Sequence, residues 1–162
     1  MKLWVADTSP LLFLAKLDRL DLLRQAGADI IAPDAVFREI HRRRDEASQK
    51  LEEARQTWLK AQAVTDWALV DVLLADLDEG EAEVIALAFE LGADRILMDD
   101  LDGRRLARRI GLTPVGTLGV LLGARQKGII PSLRAEIDKL LEGGFRAHED
   151  LVAGVLREAG EE

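Results

Sequence analysis

Four acidic positions, far apart in the sequence, sit where a folded chain can turn them toward one place: Asp7, Glu39, Glu81 and the pair Asp99-Asp100. Asp7 and Asp99-Asp100 each follow a short apolar run, Leu3-Trp4-Val5-Ala6 and Arg95-Ile96-Leu97-Met98, which is the pattern of a buried strand and its exit. Glu81 opens the helical face Glu81, Ile85, Ala88 and Gly92, so a carboxylate lies on the stripe that packs inward. Glu39 shares a helix with Val36 and Ile40 and reaches the edge of its buried face. Taken singly, each has a structural explanation. Asp7 can support a turn, Glu39 can be solvated, Glu81 can complete a capping box with Asp78, and Asp100 or Asp102 can cap the next helix. Taken together they raise a problem of charge, because carboxylates converging in one cleft cannot all ionise unless positive charge is supplied. A divalent cation is the simplest supply. With no cysteine and only His41 and His148 as imidazoles, an all-oxygen site points to Mg²⁺ or Mn²⁺ rather than zinc. Two such ions can activate water and stabilise the leaving oxygen of a phosphodiester without any side-chain nucleophile. Thr8 and Ser9 stand beside Asp7, placed to orient a water or a phosphate oxygen.

The elements that must position these groups alternate. The first strand ends at Asp7, and Ser9 as N-cap with Pro10 at the first helical position predicts a helix over Leu11 to Lys16, followed by a second helical turn opened by Asp18 and closed at Gly27. Asp29 to Ala32 reads as a strand, and Val36, Phe37 and Ile40 give a helix through Arg44. Residues 45 to 62 form a charged amphipathic helix or helical hairpin, and Trp67 to Val72 has strand character. Asp78-Glu79-Gly80-Glu81 predicts a capped helix ending at Gly92. Arg95 to Met98 is a strand, Leu106 to Ile110 a short basic helix, and Thr113-Pro114-Val115 an edge strand, since proline cannot donate to a ladder. Three helices follow, around 118 to 126, 133 to 141 and 149 to 159. Alternating strands and helices imply an α/β fold with a mostly parallel sheet covered on both faces. Such sheets place ligands outside the carboxyl ends of their strands.

Size and composition agree with this reading. The 162 residues fit one domain, 1–162, with 48% hydrophobic and 32% charged residues, a globular balance. The apolar runs are too short to span a bilayer and no secretory signal is recognisable, so the expected location is cytoplasmic, with no membrane association. The net charge of −8 opposes nucleic acid at long range, yet Arg42-Arg43-Arg44 and Arg104, Arg105, Arg108 and Arg109 form two local basic blocks. Arg104 and Arg105 are the expected phosphate contacts, and neutralising both should weaken nucleic-acid binding and flatten its salt dependence.

The segments Val5 to Leu11, Pro33 to Glu39, Asp78 to Glu83 and Ile96 to Asp100, in that order, resemble the PIN-domain superfamily. The resemblance is greatest to a prokaryotic branch of small PIN-like proteins related to toxin–antitoxin ribonucleases, in which Gly116 to Leu121 and Gly144-Phe145-Arg146 also have counterparts. It implies a three-layer α/β/α domain and a Mg²⁺- or Mn²⁺-dependent endoribonuclease, often a toxin with an antitoxin partner and commonly a homodimer. It also implies that Asp7, Glu39, Glu81 and Asp100 are the catalytic acids, with Asp99 an alternative fourth metal ligand. Where many relatives place threonine before that aspartate, this chain has Met98 and Asp99. The competing reading is a PIN-like RNA- or protein-binding module without useful turnover. Other phosphate chemistries fit worse. A haloacid-dehalogenase-type phosphatase needs an aspartate where Ser9 stands, and neither a phosphate-binding P-loop nor a dinucleotide fingerprint is present.

Overall fold

Consecutive buried residues on a strand point to opposite faces of its sheet, so the complete burial of both Val5 and Ala6, and of both Ile96 and Leu97, requires cover on both sides. The computed structural model, which describes residues 2–161, supplies it. Five strands, β1 (Lys2–Ala6), β2 (Ala28–Ala32), β3 (Leu59–Ala61), β4 (Arg95–Leu97) and β5 (Pro114–Val115), form one sheet in the order β3-β2-β1-β4-β5. Every pairing is parallel. The helices are α1 (Thr8–Lys16), α2 (Asp21–Arg24), α3 (Asp34–Arg43), α4 (Glu46–Arg55), α5 (Trp67–Leu73), α6 (Glu79–Leu91), α7 (Leu101–Arg109), α8 (Thr117–Gln126), α9 (Leu133–Glu142) and α10 (Glu149–Glu158). They complete a three-layer α/β/α domain. The apolar α6 lies on β1 and β4 with α3, α5 and α7 beside it, while α1 packs on α3, α4 and α8. Strand order reverses at β1: the chain moves outward through β2 and β3, then returns to β4 on the other side. The crevice at the carboxyl ends of β1 and β4 is therefore the switch point of the sheet, where ligands of open α/β folds bind.

Several elements differ from the sequence expectation. Helix α1 starts at Thr8, not Leu11, because Asp7 is itself the cap: its Oδ1 accepts from Thr8 N at 2.9 Å. Ser9 is inside the first turn, where Pro10 costs no hydrogen bond. Asp18 is in the left-handed region with φ 58°, so the second helical turn opens at Asp21. Helix α3 ends one residue early, with Arg44 as its left-handed cap. The segment 45 to 62 is a helix followed by a strand: Leu59 pairs with Ile30 and is fully buried, but three residues are too few to show a period of two. Trp67 to Val72 is helical. Asp66 caps it by accepting from Leu69 N at 3.0 Å, and Val70 and Leu73 are buried three apart while Val72 is 70% exposed. The edge strand at Pro114 and the Asp78–Glu81 capping box appear as expected.

The carboxyl-terminal helices are tied down by a charge. Glu161 accepts from Leu133 N at 2.7 Å, Arg134 N at 3.1 Å, Ser132 Oγ at 3.2 Å and Arg125 Nε at 2.9 Å, so it satisfies donors at the start of α9 from the far side of α10. The amides of Leu133 and Arg134 hold its carboxyl at about 2, below its ordinary 4.5. A depressed folded value contributes stability above the ordinary pKa and loses it as pH falls through the folded one. Glu161→Gln should therefore lower the melting temperature at pH 7, and the gap to wild type should close between about pH 4.5 and 2. A constant gap across that range would mean that the charge contributes nothing. Within α10, Leu156 is buried, whereas Leu151 is 50% exposed.

Candidate active site

The strand exits and two helix starts bring the acidic residues into one cleft. A cavity of about 390 Å³ is lined by Asp7, Glu39, Asp78, Glu81, Asp99 and Asp100, together with Thr8, Ser9, Phe13 and the loop Gly144-Phe145-Arg146. Asp7 leaves β1, Asp99 and Asp100 follow β4, Glu39 comes from α3, and Asp78 with Glu81 come from the start of α6. All of Asp7, Glu39, Glu81, Asp99 and Asp100 thus face one space. Asp78 adds a sixth carboxylate. The sequence marks it only as a cap, although its place three residues before Glu81 puts it at the same helix end.

Local hydrogen bonds fix most of these groups. Asp78 Oδ1 accepts from Glu81 N at 2.8 Å and Glu81 Oε1 accepts from Asp78 N at 3.2 Å, the reciprocal capping box. Asp100 Oδ2 accepts from Gly103 N at 2.8 Å, so it caps α7 and lines the cleft at the same time. Asp99 is held differently. Both its oxygens are engaged by Thr117, through N at 2.7 Å and Oγ1 at 2.7 Å, and Ser9 Oγ approaches at 3.5 Å. Thr117 is wholly buried and was not among the expected site residues. Asp100, exposed, has the freer carboxylate of the pair. Glu39 Oε1 lies over Gly80, 2.5 Å from where a Cβ would stand, so this approach exists because position 80 has no side chain.

The electrostatics are dominated by burial and by mutual repulsion of the carboxylates. Burial pushes Asp7 from 3.8 up to about 7, the Thr8 amide opposes this, and Asp78, Glu39 and Asp99 add repulsion. Burial likewise raises Glu81 from 4.5 to about 8, with Asp78, Asp100 and Asp7 adding to it. Asp99 is raised by burial and pulled back by Thr117 and by Arg104 nearby. Among the described residues, none of the six carboxylates forms an ion pair.

The expected phosphate contacts lie elsewhere. Arg104 Nη1 donates to Met98 O at 3.0 Å and its guanidinium faces Asp99, beneath Gly116. Arg105 is 74% exposed beside Asp102. Neither lines the cleft, and the cation that does is Arg146. Both histidines are on the surface.

Among the described residues no group of three or more acidic or imidazole side chains is arranged to hold a metal ion as it stands. The donor set nevertheless fits a hard divalent cation: every candidate ligand is oxygen, their mutual repulsion is what a cation relieves, and Thr8 Oγ1 is buried on the cleft wall without a hydrogen-bond partner among the described residues.

Fold and cleft together define a three-layer α/β/α domain with an acidic crevice at the switch point of a parallel sheet. The family described as PIN domain (DUF3368) matches residues 3–161, and the chain belongs to it. PIN domains form a nuclease superfamily, whose activity is hydrolysis of nucleic acid, typically with divalent metal ions. No curated protein matches the chain significantly. Among the described residues no helix is long and apolar enough to cross a membrane.

Proposed function

We propose that the protein is a Mg²⁺- or Mn²⁺-dependent endoribonuclease. The observation that carries this reading is six carboxylates, one of them deeply buried, lining a single cleft with no ion-pair partner among the described residues. Asp7, Glu81 and Asp100 would hold the metal, and Asp99, anchored by Thr117, shapes that wall or adds a further ligand. When bound, a divalent ion polarises the attacking water and neutralises charge on the phosphodiester. Glu39 would ligate the ion or accept the proton that the attacking water gives up as its oxygen bonds to phosphorus, while the leaving ribose oxygen takes up a proton from solvent. Thr8 and Ser9 orient a water or a phosphate oxygen at the mouth of α1. A role as the toxin of a toxin–antitoxin pair, with an antitoxin or a second copy as partner, is the biological setting this activity would fit.

The test is direct. Single-stranded RNA should be cut with Mn²⁺ or Mg²⁺ and left intact with EDTA, and Mn²⁺ should raise the melting temperature, because a ligand bound only by the folded state stabilises it. RNA binding without metal-dependent cleavage would favour the binding-module reading instead. Neither cleavage nor metal-induced stabilisation would sink both the activity and the metal site.

A further inference from the structure

The acidic cleft does not end at Glu39. A second cavity, of about 420 Å³, is lined by Thr8, Ser9, Phe13 and Glu39, which also line the first, and continues to Lys16, Arg42 and Arg43. The two spaces are therefore neighbours separated by a shared wall, and the charge changes sign across it. On one side are six carboxylates; on the other are three cations, all exposed. In a chain of net charge −8, a basic groove opening from the acidic site calls for an explanation.

Its side chains are held loosely enough to serve a ligand. Arg42 Nε donates to its own helix, to Arg38 O at 3.3 Å, and forms no ion pair among the described residues. Arg43 is paired with Asp45 on the surface at 3.1 Å, an exposed ion pair of the kind that contributes little and exchanges readily. Lys16 Nζ lies 5.0 Å from the Phe13 ring centre and donates to Gly143 O at 3.4 Å. Phe13, half-buried, stands at the junction of the two cavities, with its edge-to-face partner Phe145 at 5.0 Å between ring centres. Two cation-bearing elements, α1 and the last turn of α3, thus flank an aromatic ring beside the cleavage cleft.

We propose that this groove is the track for single-stranded RNA on one side of the scissile bond, with Lys16, Arg42 and Arg43 contacting successive phosphates and Phe13 meeting an unpaired base. This rests on the ribonuclease reading of the neighbouring cleft. Phosphates give affinity and register without reading sequence, and an aromatic face accepts any unstacked base, so the track selects strandedness rather than sequence. The earlier basic block 42–44 acquires a role here, whereas Arg104 and Arg105 do not border the track.

The experiment separates track from chemistry. In the cleavage-inactive Asp7→Asn background, binding of a fluorescein-labelled 12-nucleotide single-stranded RNA is measured across a salt series, with and without Arg42→Gln and Arg43→Gln. The double change should weaken binding about tenfold or more at low salt and reduce the slope of log K against log[salt] by about 1.4, roughly 0.7 per lost phosphate contact on a single strand. In the otherwise wild-type enzyme it should raise KM for the 12-mer and leave kcat and the cleavage of a dinucleotide unchanged. Phe13→Leu, which keeps the apolar contact with Phe145, should weaken single-strand binding about fivefold or more and leave the salt slope alone. An unchanged KM and salt slope in an active, metal-dependent enzyme overturns the track and leaves the ribonuclease reading standing. No cleavage by the wild-type protein overturns that reading first. Equal affinity for a duplex of the same sequence overturns the selection for single strands.

Discussion

Asp7→Asn should lower the proposed metal-dependent RNA cleavage by about a hundredfold or more, the scale expected when a charge-stabilising centre loses a ligand, and at the same time should make the metal-free protein more stable. The second half follows from burial. Asp7 is 7% exposed, and its carboxyl titrates near 7 in the fold against 3.8 ordinarily. A raised folded value means that the native state holds its proton between those limits while the unfolded chain has lost it, so stability declines as pH rises from about 4 to about 7 and stays low above. Asparagine has no charge to bury. Its gain at pH 7.5 is bounded by about 4 kcal/mol and should appear as several degrees in melting temperature. At pH 4 the gain should be absent. Added Mn²⁺ should raise the melting temperature of wild type and not of the variant. An Asp7→Asn protein that cleaves at the wild-type rate, or that is no more stable than wild type at pH 7.5 without metal, contradicts the place given to this carboxylate.

Gly80→Ala has the next largest expected effect and isolates Glu39. A methyl group at position 80 would stand 2.5 Å from Glu39 Oε1, a contact no real Cβ makes. Something must give, and the free end of a flexible glutamate gives most cheaply. The backbone of α6 has no reason to move: position 80 is helical, and alanine is a better helix former than glycine. The variant should therefore melt at or above the wild-type temperature while cleavage falls about tenfold to a hundredfold, since a displaced catalytic group costs rate steeply. Glu39→Gln in the same assay should show a loss of similar size. Full activity in Gly80→Ala would mean that Glu39 works from another position or not at all.

Much of the fold was legible because its signals are local. The runs Trp4-Val5-Ala6 and Ile96-Leu97-Met98 are apolar on both faces, as strands covered on both sides must be. The Asp78–Glu81 box and Gly92 bracket α6, whose alanine-rich interior can only be buried. What escaped was set by neighbours. Leu59 is a strand residue because Ile30 lies alongside, and a three-residue edge strand carries no periodicity of its own. Trp67 to Val72 mixes β-branched and aromatic types that suit a strand, and only the packing of Val70 and Leu73 under an Asp66 cap makes it a helix.

The acidic residues themselves, their oxygen-only chemistry and their positions at strand exits and helix starts belong to the sequence, because composition and local pattern determine which groups exist and which element carries each. Their meeting was decided by the tertiary structure. Strand order 3-2-1-4-5 sets the exits of β1 and β4 side by side, and α3 and α6 then lean Glu39, Asp78 and Glu81 over the same crevice. Asp99 turned toward Thr117, Arg104 turned inward, and Arg42 and Arg43 opening beside the cleft are likewise consequences of packing, since side-chain direction depends on what each element meets across the fold and not on the residues next to it.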